Sequence, residues 1–238
     1  MKHTLAVLTA LAFIGTPLFV SAHERQVFNI GGTDYIFVVG SLGEPIVVDD
    51  KTGVELRVKI ADPKAPTDAN AVGATPVEGL EKTLKVELVA GETKKILDLT
   101  PAYKDPGAYK NTFFPTIATT YTYRFFGTIN EKTVDLSFTC NPAGHVAAPE
   151  DTTEVALGDG VVRKFKAGQF GCPLAKEELG FPEATLTTVG LHEDTEHHMT
   201  EVMESTKKGA SSGAALAFGL LGILMGALAL WKSRTPKV

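Results

Sequence analysis

The chain has 238 residues, 23 basic and 28 acidic, and a formal net charge of −5 at pH 7. Between His23 and Thr206 the balance is 17 basic residues against 28 acidic, or −11. So acidic a segment argues against nucleic acid and anionic lipid headgroups as partners, and is compatible with attracting cations.

Residues 1–22 have the anatomy of a secretory signal peptide: Lys2, an apolar run Leu5–Val20, and Val20-Ser21-Ala22 as a small-residue cleavage site. Cleavage after Ala22 makes His23 the mature N-terminus and leaves 216 residues, room for one sandwich-sized domain with accessory segments. A histidine in that position offers its free α-amine and its imidazole to a copper-type ion. The alternative is a solvated chain end with no ligand role.

From Gln26 to Thr139 the sequence carries repeated strand signals. Val27–Ile30 leads through Gly31-Gly32-Thr33-Asp34 into Tyr35–Val39, which reads as a hairpin. Val54–Ile60 and Leu84–Leu88 alternate between apolar and polar, with the apolar set directed to a core. Further strands are expected at Lys95–Leu99, Tyr109–Phe114, Thr120–Ile129 and Thr133–Thr139, and Ala61–Gly79 reads as a long inter-strand loop or flap. About eight short strands without a helix predict an all-β, immunoglobulin-like antiparallel β-sandwich over 23–145. Val155–Leu157 and Val161–Phe165, around Gly158-Asp159-Gly160, predict a small β-hairpin extension within 146–176.

Residues 177–208 read as an acidic, partly helical stalk containing His and Met. Ala210–Trp231 is an uncharged apolar run of 22 residues, long enough to cross a hydrocarbon core of roughly 30 Å, which places one transmembrane helix at 209–231. Lys232, Arg234 and Lys237 in the tail 232–238 suit the cytoplasmic side, so the main domain is expected on the extracytoplasmic, periplasmic or extracellular, side. Gly222 and Gly226 form a GxxxG that would allow a homodimer through this helix.

Cys140 and Cys172, the two cysteines, have no CxxC spacing; one structural disulfide is expected, and a pair of copper thiolates is the alternative. His145 follows the last sandwich strand, which in such a fold can return beside the first and bring His145 towards His23. In the stalk, helical spacing sets His192, Met199 and Met203 on one side and His197 with Glu201 on another. With His198 these form a soft donor set that suits copper better than calcium or magnesium, or else a solvated surface. No HExxH, GxGxxG or P-loop motif occurs, no catalytic residues are assigned and the protein is expected not to be an enzyme.

Pro106-Gly107-Ala108-Tyr109, Phe114-Pro115-Thr116 and Tyr121–Gly127 together resemble the PGxY…F.P…G.Y rhythm of small exported sandwiches of the CopC-like and YtkA-like groups, with Thr119-Thr120 where a glycine is frequent. The resemblance covers about His23–His145 and describes a membrane-anchored variant. It implies a terminal histidine ligand and copper binding or delivery beside a membrane-embedded copper transporter. No methionine lies between Met1 and Met199, which makes Cu(II) the expected oxidation state in the sandwich. A metal-free sandwich serving as accessory or interaction subunit of a membrane complex is the second reading.

Overall fold

A computed structural model describes residues 23–144 and 149–210. Two antiparallel sheets account for twelve strands: β1 (Glu24–Ile30), β2 (Thr33–Ser41), β3 (Thr52–Ile60), β4 (Thr75–Pro76), β5 (Leu84–Ala90), β6 (Thr93–Asp98), β7 (Thr100–Pro101), β8 (Ala108–Phe113), β9 (Tyr121–Ile129), β10 (Lys132–Thr139), β11 (Val155–Gly158) and β12 (Val161–Ala167). The larger sheet runs β11-β12-β1-β2-β3-β8-β7, with β4 added to the end of β3; the smaller runs β10-β9-β5-β6. The described residues up to Thr185 form one compact unit and those from Leu186 a second.

Period-two alternation decides which side chains enter the core. In the larger sheet Phe28, Phe37, Val39, Val54, Leu56 and Val58 face inward and meet Val86, Tyr123, Phe125, Leu136 and Phe138 of the smaller one. Aromatic edges lock the interior: Phe28 stands perpendicular to Phe37 at 5.3 Å, and Phe125 meets Phe138 at 5.7 Å. Tyr123 reaches the far sheet, where its hydroxyl and Ser41 Oγ lie 2.8 Å apart and satisfy each other in the core. Burial pushes the Tyr123 phenol well above its ordinary pKa.

The Gly31-Gly32 turn joins β1 and β2 in continuous register, as the sequence leads one to expect. Expected strands at 84–88, 95–99, 109–114, 120–129 and 133–139 match β5, β6, β8, β9 and β10 to within two residues at each end. The 61–79 flap is a chain of turns that contributes β4 and drops Ala61 and Ala69 onto the outer side of the larger sheet. There they cover Val27, Ile36 and Phe165, a second, smaller apolar cluster.

The hairpin β11–β12 pairs with β1 and so extends the larger sheet. Beyond β12 the chain crosses to the end of β10, where Cys140 and Cys172 are bridged with Cα atoms 4.9 Å apart. No cysteine is free, so the two-thiolate copper alternative is overturned. Both sulfurs are consumed in a bond that ties the ends of β10 and β12, beside Phe170 stacked on Tyr123 at 5.0 Å.

In the second unit, helix α1 covers Thr188–Ala210, so the stalk segment is largely helical. Among the described residues no helix is long and apolar enough to cross a membrane. The expected signal peptide 1–22, His145, the greater part of the expected 209–231 span and the 232–238 tail lie outside the described residues.

Candidate functional site

Strand register writes rows of side chains across the outer face of the larger sheet. Gly40 pairs with Glu55, Glu55 with Lys110, and His23, one residue before β1, stands opposite Gly40. The neighbouring row runs Ala167, Arg25, Val38, Arg57, Ala108. The row after that, containing Phe165, Val27 and Ile36, is the one the flap closes.

His23 lies flat because Gly40 has no side chain. A Cβ there would sit 2.4 Å from His23 Cδ2. Gly168, at φ +70°, brings the end of β12 against the His23 carbonyl, where a Cβ would come within 2.6 Å of the oxygen. So held, His23 Nε2 lies 3.3 Å from Glu55 Oε2. An ionised carboxylate only accepts, so Nε2 carries the proton and donates. The hydrogen bond to Glu55 raises the His23 pKa above its ordinary value, against the lowering effect of partial burial; the charges of Glu55 and Glu44 add to the rise. Glu55 is held below the ordinary carboxylate range by the same contact.

Arg57 presents both terminal nitrogens to Asp105, each at 2.7 Å, in a bidentate fork. That fork lowers the Asp105 pKa and raises that of Arg57. Two ion pairs therefore lie side by side on the partly exposed outer face of the larger sheet, His23–Glu55 in one row and Arg57–Asp105 at the next.

One residue on, Glu24 points the other way and is fully buried. Its Oε1 accepts from Gln26 at 2.5 Å and from Lys166 at 2.9 Å. Desolvation raises the Glu24 pKa, with Lys166 and then Gln26 opposing the rise. The sequence offers little warning of this group, since a lone glutamate at a strand start reads as solvated.

Of the remaining predicted ligands, His145 lies outside the described residues. The histidines of α1 belong to the second unit, and two of them pair with carboxylates of their own helix: His192 with Glu196 at 3.2 Å, and His198 with Asp194 at 3.7 Å and Glu201 at 3.9 Å. Glu201 thus serves His198, three residues back, rather than His197. His197 meets His198 edge-on at 6.4 Å, and Met199 is exposed. Among the described residues no three His, Cys, Asp or Glu side chains converge into a group that could hold a metal.

Glu55, Arg57 and Asp105 are absent from the residues picked out in the sequence. The alternation of Val54–Ile60 does set Glu55, Arg57 and Lys59 on one polar face. What it lacks is the partner strand that brings His23 to that face.

Compared with known proteins, the chain matches no family model, no curated protein and no solved structure. The CopC-like resemblance therefore rests on the residues quoted for it.

Proposed function

We propose that this is a membrane-tethered extracytoplasmic copper-binding protein: an immunoglobulin-like sandwich exported by residues 1–22, anchored by 209–231, and serving copper homeostasis or delivery beside a membrane-embedded transporter. The observation that carries the proposal is the 3.3 Å contact between His23 Nε2 and Glu55 on the outer face of the larger sheet. Proton donation from Nε2 to a carboxylate leaves Nδ1 as the lone-pair nitrogen of the neutral ring, as second-shell carboxylates do for metal-ligating histidines. Nδ1 and the α-amine of one histidine close a six-membered ring on a metal ion. Amine and imidazole nitrogens with a nearby carboxylate make a donor set suited to Cu(II). His145 is the further ligand proposed for this site; His192, His197, His198 and Met199 form a separate, weaker set. The protein has no catalytic role in this reading.

A metal-free accessory subunit of a membrane complex is the second reading. It is favoured by the His23–Glu55 pair, which is a complete ion pair in its own right. N-terminal sequencing of the exported chain followed by Cu(II) titration separates the two. Copper binding predicts His23 as the first residue and 1:1 binding that disappears in His23→Ala or when one residue is added before His23. Equal binding in those variants, or none in the native chain, refutes it.

A further inference from the structure

We infer that the cavity flanked by Arg25 and Arg57 binds a small aliphatic carboxylate. The cavity, about 220 Å³, lies where the flap meets the outer face of the larger sheet. It is lined by Arg25, Val38 and Arg57 from the sheet, Ala69 and Asn70 from the flap, and Ala167 with Gly168 at the end of β12. Arg25 and Arg57 belong to one cross-strand row with Val38 between them, so their Cα atoms are two strand spacings, roughly 10 Å, apart. The space holds several waters, or a short organic acid in their place.

The two arginines are in different electrostatic states. Arg57 is matched by the Asp105 fork. Arg25 has no carboxylate partner among the described residues, and its Nε–H is shielded from solvent without an acceptor. The Arg25 guanidinium carbon lies over the Phe165 ring, 5.3 Å from its centroid, a cation–π contact on one side of the group. A held, uncompensated guanidinium beside a cavity is an anion-recognition element, and its planar donors match a carboxylate better than a point cation would.

The surroundings select the kind of anion. Val38, Ala69 and Ala167 supply apolar wall beside the polar lining, which accommodates a short hydrocarbon tail next to the carboxylate. The −11 balance of the surrounding segment repels large polyanions, while a single small charge reaches the local arginine.

The test is a titration of the metal-free full chain, with isotope-labelled arginine, against propionate, propionamide and inorganic phosphate. Saturable shifts of the Arg25 side-chain resonances with propionate are expected, with propionamide inert and phosphate weaker. Arg25→Gln should weaken propionate binding by about tenfold or more. Ala167→Leu should block it by filling the cavity, with both arginines intact. Binding of propionamide or phosphate as tight as propionate, retention of affinity in both variants, or no saturable shift in the native chain overturns the inference.

Discussion

Replacing Glu55 by glutamine is the most direct probe of the His23 site, because it removes one charge and almost no volume. The His23 pKa is raised chiefly by the hydrogen bond to Glu55, while burial and Arg57 pull the other way. In Glu55→Gln the imidazole therefore titrates lower than in the native chain. The stability effect follows by linkage. A raised histidine contributes fully below its ordinary value of 6.5 and loses that contribution as pH rises through the folded value. A depressed carboxylate contributes above its ordinary 4.5 and loses it as pH falls through the folded value. The pair is thus at full strength between about 4.5 and 6.5. Its side chains are 32% and 34% exposed, so solvent screens it and the expected difference is about 0.5 kcal/mol. Denaturant melts of both forms at pH 5.5 and pH 9 should show that gap at the lower pH and little at the higher. NMR titration of His23 reads the same interaction directly. An unchanged His23 titration in Glu55→Gln refutes the reasoning.

Other positions test the frame. Cys140→Ala with Cys172→Ala opens a 32-residue separation and should cost roughly 3–4 kcal/mol in the chain-entropy account, read as a lower midpoint in urea. Glu24→Ala leaves Lys166 beside a cavity without its counter-charge and should cost about 3 kcal/mol in the same assay, more than any exposed pair. Gly127 sits at φ +139°, and a Cβ there would lie 2.0 Å from the Thr83 carbonyl oxygen. Gly127→Ala should therefore destabilise by more than about 2 kcal/mol, since backbone and not a movable side chain must yield.

Much of the core was legible because β3, β5 and β10 alternate apolar with polar residues. Leu56, Val86 and Leu136 reveal their inward direction through polar neighbours on either side, and Gly31-Gly32 reveals the first turn. The cysteine pair was legible from its count and spacing. The candidate site was only half legible. His23 is conspicuous once a cleavage site is read before it, but Glu55 is merely one of 28 acidic residues until β1, β2 and β3 are in register. Arg57 and Asp105 are 48 residues apart, and only the β3–β8 pairing makes them neighbours. Glu24 was invisible for another reason: its burial depends on β12 arriving from the far end of the domain with Lys166. Local pattern encodes which way a side chain points, while sheet order decides what it meets.

That distinction makes Gly40 the most discriminating position for the copper proposal. Gly40 has no chemistry of its own; its role is the space it leaves beneath the His23 ring. Gly40→Ala would press a methyl group to 2.4 Å from Cδ2, and the ring, being a movable side chain, would swing away from Glu55. The expected loss of stability is under about 1 kcal/mol, within the range of ordinary surface changes. The His23 titration should fall as it does in Glu55→Gln, because the same hydrogen bond is lost. Copper binding then reports on the ligand set. A chelate made by amine and Nδ1 keeps both nitrogens on residue 23, and loss of the Glu55 contact that holds its tautomer should weaken Cu(II) binding by roughly tenfold in Gly40→Ala and in Glu55→Gln alike. Unchanged Cu(II) affinity in both variants would show that Glu55 does not orient the ligand. Calorimetric titration of the two exported variants beside the native chain distinguishes these outcomes. Unaltered His23 titration in Gly40→Ala would show that the ring does not depend on the bare backbone beneath it, and would remove the structural basis for assigning Glu55 as its partner.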